Sequence, residues 1–126
     1  EKGCVAGLDN ELIMSPKLDD LECVFASLEA FLEAKPSNKI IVCAVFNNEE
    51  VGSGSNNGAA STFLTDTLER ICSALDLDKY MMYANSFLVS ADNAHAVHPN
   101  RPDITDQLNK VYMNKGIVIK FRQALG

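Results

Sequence analysis

In this 126-residue chain, carboxylates stand at three places just past an apolar stretch: Asp19-Asp20 after residues 12–14, Glu49-Glu50 after residues 40–46, and Asp92 after residues 87–91. Carboxylates gathered in one cleft repel unless some hold protons or a multivalent cation neutralises them. A hard or borderline dication is the economical solution, and two would suit this many carboxylates. Each site also has a local reading. Asp19 fits a helix N-cap, with Asp19-x-x-Glu22 in capping-box form. Glu49-Glu50 fits a solvated surface pair, and Asp92-Asn93 fits turn chemistry. His95 and His98, the two histidines, have H-x-x-H spacing that would suit ligation on a helix, but Pro99 and the polar surroundings favour a loop. Direct ligation, support of a ligand or contact to substrate, and a structural hydrogen-bonding role stay open for them. The run Gly52-Ser53-Gly54-Ser55-Asn56-Asn57-Gly58 misses G-x-G-x-x-G by one residue and has no G-K-[ST]. With Glu49-Glu50 beside it, a tight turn that lets the backbone pass the acidic cluster is favoured over a phosphate cradle.

The elements that must position these groups follow from periodicity. Residues 4–8 and 12–14, with a turn at Asp9-Asn10, predict a hairpin that ends at Ser15-Pro16. Leu18, Leu21, Val24, Phe25, Leu28, Phe31 and Leu32 form a helical stripe over residues 18–35, which Pro36-Ser37-Asn38 breaks. Residues 40–46 are a continuous apolar run of the kind buried on both faces of a sheet, a central strand candidate. A second amphipathic helix carries Ala60, Phe63, Leu64, Thr67, Leu68, Ile71 and Leu75 on one face, with Asn56 or Asn57 as its cap. Residues 86–91 predict a second buried strand, residues 92–109 a polar loop, and residues 117–119 a third short strand. This alternation predicts an α/β fold with a mainly parallel sheet, in which ligands bind beyond the carboxyl ends of the strands.

Length and charge set the outer bounds. The chain suits one domain, or a piece of one, built around a core. It carries 11 Lys plus Arg against 17 Asp plus Glu, a net charge of −6, which argues against a general nucleic-acid binder or a membrane-surface module. The four basic residues after Asn109 have no acidic neighbour, so the first 109 residues carry −10. No apolar run approaches the roughly 18 residues that span a bilayer, so a soluble protein is expected. Cys4, Cys23, Cys43 and Cys72 form no C-x-x-C pair and lie among apolar neighbours, which predicts reduced, buried thiols and a cytoplasmic protein. The chain starts at Glu1 without a methionine, which suggests a segment of a longer protein.

Five blocks in order, Ser15-Pro16-Lys17-Leu18-Asp19-Asp20-Leu21, Asn48-Glu49-Glu50-Val51-Gly52-Ser53, Ser90-Ala91-Asp92, Ala94-His95-Ala96-Val97-His98-Pro99-Asn100 and Lys115-Gly116-Ile117-Val118-Ile119-Lys120, span the chain. Together they resemble the M18 family of metalloaminopeptidases, the aspartyl aminopeptidase group. The resemblance implies a three-layer α/β/α zinc-peptidase-like fold with a mainly parallel or mixed central sheet, incomplete here. It also implies a two-zinc hydrolase, with other divalent metals as substitutes, that removes N-terminal and especially acidic residues from peptides. By motif, Asp19 would bridge the metals, Glu50 would ligate one and Asp92 the other, while Glu49 would be the general base that deprotonates metal-activated water. His95 would line the substrate site, and Lys120 would pair with an acidic side chain or terminus; His98 receives no role. Asn47 stands where Asp often occurs, Asn93 where Met is usual, Arg101 where an aromatic is usual and Ile117 where Pro is usual.

Members of that family supply two further His ligands, one well before and one well after this region, and neither has a counterpart here. Their oligomerisation domain also precedes the matched segment. The expectation is therefore a partial catalytic domain over residues 1–126, inactive by itself, from a homo-oligomeric peptidase with peptide substrates and no nucleic-acid or membrane partner. The rival readings are a noncatalytic α/β module binding a phosphorylated ligand at its Gly-rich loop, and a remnant that self-associates through open sheet edges.

Overall fold

The computed structural model describes residues 1–35 and 37–120. Pro36, read as the helix breaker, and Arg122, counted in the basic tail, lie outside the described residues. The chain divides into two units, residues 1–23 with 92 onward, and residues 24–91.

In the first unit, β1 (Cys4–Ala6) and β2 (Leu12–Met14) form an antiparallel pair in which Val5 faces Ile13. The turn between them needs left-handed backbone at Gly7 (φ 96°) and Asn10 (φ 56°), residue types that adopt it at little cost. The expected hairpin is therefore present, with Glu11 Oε2 accepting from the Asp9 amide at 3.0 Å. Far along the sequence, Asn114 Nδ2 donates to the Glu11 carbonyl at 2.8 Å and ties the hairpin to the turn ahead of Gly116. A 3-10 turn at Pro102–Ile104 interrupts the polar loop.

The first predicted helix forms as α1 (Leu18–Glu33), which leads from the first unit into the second. Asp19 (ψ 110°) and Asp20 (φ −122°, ψ 31°) are not helical, so the regular helix starts at Leu21. No residue of α1 is buried.

The second unit contains α2 (Phe63–Ala74) and α3 (Lys79–Ala84). The predicted Asn56 or Asn57 cap is corrected: residues 56–61 are spent in turns, and α2 begins after Thr62, whose hydroxyl donates to Asp66 at 2.8 Å instead of capping. Asp78 caps α3 by accepting from the Met81 amide at 2.8 Å, and Lys79 pairs with Glu69 at 2.8 Å to brace α3 against α2. Cys72, 2% exposed, is the one apolar side chain buried among the described residues, so the expected core is not assembled. The four thiols are free, but only Cys72 is buried; Cys23 and Cys43 are partly covered and Cys4 is exposed.

The strand predictions need the same correction. Residues 40–46, 86–91 and 117–119 lie outside any sheet ladder, and the sole sheet among the described residues is the β1–β2 pair. Val89 is 78% exposed and Ile117 97%. A strand exists only through hydrogen bonds to a neighbour, and these apolar segments have none beside them here.

Candidate functional site: an acidic corner and a closed glycine loop

The first unit gathers Asp19, Asp20, Glu22, Asp92, Asn93 and Lys120. Helix start, loop and the segment ending at Lys120 meet here: Asp19 and Asp20 occupy the irregular entry to α1, where their mutual peptide bond is cis, and Asp92 and Asn93 open the loop after residues 86–91. Lys120 Nζ donates to Asp92 Oδ2 at 2.5 Å and to the Asn93 carbonyl at 2.8 Å. The Lys120 hydrogen bond, reinforced by its charge, is the main reason that the Asp92 carboxyl is held below its ordinary value. Asp20 is pushed the other way, first by burial and then by the charges of Asp92 and Asp19. The Cys23 thiol is pushed up by burial and by Asp20, Glu22 and Asp92, with Lys120 opposing, so it is a poor nucleophile.

The capping-box reading of Asp19-x-x-Glu22 gives way to a longer-range tie. Glu22 Oε2 accepts from Asn93 Nδ2 at 3.2 Å, a partner 71 positions away. Sequence reasoning missed Asn93 and Glu22 as a pair, because nothing local signals a contact across that separation.

Among the other predicted residues, His95 and His98 are exposed. His98 Nδ1 accepts from the Asn100 amide at 3.1 Å and its carbonyl from the Arg101 amide at 3.1 Å, a turn-forming use of the residue. Arg101 is held by Asp103 at 3.0 Å through an exposed pair.

Glu49 and Glu50 belong to the second unit, where both are exposed on the turn after Asn48. That turn closes on itself. The Gly52 amide donates to the Asn48 carbonyl at 2.8 Å, Ser55 to Gly52 at 3.1 Å, Gly58 to Ser55 at 3.1 Å and Ala60 to Ser53 at 3.0 Å. Asn47 and Asn57 pair at 2.9 Å across its base. Gly58 is buried where a Cβ would lie 2.2 Å from the Ser53 carbonyl oxygen. The Gly52, Ser55 and Gly58 amides are committed within the loop, which carries Glu49-Glu50 on a hydrogen-bonded turn.

Asp19 and Asp92 offer the first unit hard oxygen donors, and the Asp20 pKa is raised by burial and then by the charges of both. Among the described residues, no three His, Cys, Asp or Glu side chains form a ready metal cluster. No helix among them is long and apolar enough to cross a membrane.

The model of the family "Aminopeptidase I zinc metalloprotease (M18)" matches residues 1–125. The chain is 45% identical to "Probable M18 family aminopeptidase 2" of Clostridium acetobutylicum, over 98% of this chain and 29% of that protein. It is 39% identical to "Aspartyl aminopeptidase 1" of Schizosaccharomyces pombe, over 95% of this chain and 27% of that protein. The solved structure of Chaetomium thermophilum mApe1 superposes with a TM-score of 0.69 at 38% identity, over 82% of this chain and 26% of that one. The chain thus spans between a quarter and a third of the length of these relatives. Matched from end to end by the family model, it belongs to the M18 peptidase family.

Proposed function

We propose that this chain is a central part of the catalytic domain of a dinuclear zinc aminopeptidase that removes N-terminal residues, acidic ones favoured, from peptides. The observation that carries the reading is the family match over residues 1–125, together with the placement of Asp19 and Asp92 in one unit. Asp19, Glu50 and Asp92 would hold the metals, with Asp19 shared between them. Bound zinc would supply Lewis-acid polarisation of the scissile carbonyl and a lowered pKa for water. Glu49 is the general base: it takes the proton of the attacking water and passes it to the leaving amine. Its exposure on a hydrogen-bonded turn suits a carboxylate that must reach substrate. Lys120 uses two of its three donor hydrogens on Asp92 and Asn93, which leaves one for an acidic substrate side chain or terminus. His95, exposed three positions past Asp92, lines the substrate side.

The reading extends to a three-layer α/β/α domain in which residues 40–46, 86–91 and 117–119 pair with strands supplied outside this chain. It extends also to a cytoplasmic homo-oligomer whose oligomerisation segment lies elsewhere. By itself the chain would be inactive, since a dinuclear centre short of two His ligands holds metal loosely. In the longer protein, Glu49→Gln should retain zinc by elemental analysis and lower turnover of an aspartyl-peptide substrate by about 10²- to 10⁴-fold. Turnover at the unaltered rate removes Glu49 from the mechanism.

A further inference from the structure

Of the asparagines in the chain, Asn57 alone is followed by glycine. Asn57 is exposed, whereas Gly58 is buried where a Cβ would meet the Ser53 carbonyl oxygen at 2.2 Å. The peptide group that joins them is held from both sides. Its carbonyl, on Asn57, accepts from the Asn47 amide at 2.9 Å, and its N–H, on Gly58, donates to the Ser55 carbonyl at 3.1 Å. An Asn-Gly pair has chemistry of its own. Glycine has no side chain to crowd its nitrogen and turns freely about its backbone, so that nitrogen can reach the side-chain carbonyl carbon of the preceding asparagine. In the closed loop it cannot, because reaching Asn57 Cγ means rotating a peptide group that hydrogen bonds hold at both ends.

We propose that Asn57-Gly58 is a deamidation site that the loop's own hydrogen bonds hold in check, so that each opening of the loop exposes it to an irreversible change. Once the peptide group is released, the Gly58 nitrogen attacks Asn57 Cγ and gives up its proton; the Cγ–Nδ2 bond breaks, and ammonia leaves with that proton. Water then opens the cyclic imide at either carbonyl, to aspartate or to isoaspartate. The net reaction consumes one water and releases one ammonia, with solvent as the sole co-reactant. Isoaspartate routes the main chain through the former side chain and lengthens it by a methylene, so the peptide group no longer spans from Asn47 to Ser55. The turn that carries Glu49 and Glu50 then loses the tie across its base. Either product also adds a negative charge to a loop that already bears that acidic pair. The inference stands apart from the zinc reading, since it uses no metal and no ligand role.

The test incubates the 126-residue chain in mildly alkaline buffer across a urea series. Residue 57 is followed by fragment mass spectrometry, with aspartate and isoaspartate products separated by chromatography. Without urea, deamidation should be at least about tenfold slower than in the unfolded chain, and it should quicken in step with hydrogen exchange of the Gly58 amide. Asn57→Gln, whose longer side chain would have to close a larger ring, should form no product. The isoaspartate fraction, once isolated, should lose exchange protection at the Asn47 and Gly58 amides while the β1–β2 hairpin keeps its own. Equal rates with and without urea overturn the protective role of the loop. An Asn57 that stays intact in urea, or product that persists in Asn57→Gln, overturns the site itself. Protection retained at Asn47 and Gly58 in the isoaspartate fraction overturns the consequence drawn for the turn.

Discussion

Each unit is held by its own kind of contact. Residues 1–23 with 92–120 are tied by polar side chains that reach across long stretches of sequence: Asn93 to Glu22, Asn114 to Glu11, Lys120 to Asp92. Residues 24–91 rely on near neighbours, with a loop that hydrogen-bonds to itself around Gly58 and two short helices braced by Lys79 and Glu69. Both carry proposed functional carboxylates. The contrast suggests a division of labour: one unit assembles donors from afar and tolerates like charge to do so, and the other presents Glu49 and Glu50 on a stiff local platform.

The largest effect should come from breaking the platform. Gly58→Ala forces a methyl group into the Ser53 carbonyl, which should cost roughly 1–3 kcal/mol of local stability. Hydrogen exchange should then speed up at the amides of Gly52, Ser55 and Ala60 and stay unchanged at Asn114 and the hairpin. Faster exchange in both units would mean that they are one cooperative structure and dissolve the contrast. A middling effect is expected at α3, where Asp78→Ala removes the cap on the Met81 amide at a cost of about 1 kcal/mol. Loss of helical signal confined to residues 79–84 would confirm that α3 is stabilised locally.

The smallest effect belongs to the polar unit and is a matter of pH. Asp92 has a depressed pKa, so its contribution to stability is present above the unfolded value and is lost as pH falls through the folded one. Asp20 has a raised pKa, so it favours folding while protonated and loses that contribution as pH rises through its folded value. In metal-free protein, carboxyl carbon resonances should show Asp20 taking up its proton first on acidification and Asp92 after it. Lys120→Met should raise the Asp92 pKa back toward the ordinary 3.8 while costing no more than about 1 kcal/mol, since the pair is half exposed. An unmoved Asp92 pKa in that variant would remove Lys120 from the corner.

What could be read ahead of the structure divides along the same line. The hairpin and the first two helices were legible because turn chemistry and apolar spacing act within a few residues, as at Gly7 and Asn10 or along Leu21, Phe25 and Leu28. Helix α3 was passed over because six residues carry no stripe, although Asp78 three positions before Met81 was its one signal. Residues 40–46 had the right composition for a buried strand, but composition cannot supply the neighbouring strand that pairing demands. Of the four carboxylates picked out by motif, Asp19 and Asp92 share the first unit and Glu49 and Glu50 lie in the second. The Asn93–Glu22 grip was not legible, because an amide and a carboxylate at that separation look like any two polar surface residues.

The discontinuity of the first unit has a consequence for the order of events during synthesis. Residues 24–91 form one unbroken stretch, so that unit has all its contacts available once residue 91 is made. Glu22 emerges early and then waits through 70 residues for Asn93, and Asp92 waits again for Lys120. Closing a loop of that length carries an entropic cost that local turns do not, and it is met only once Asn93 and Lys120 have been made. Within residues 1–120 the acidic corner is thus completed after the second unit, and a polypeptide halted before Lys120 would lack the ammonium that pairs with Asp92.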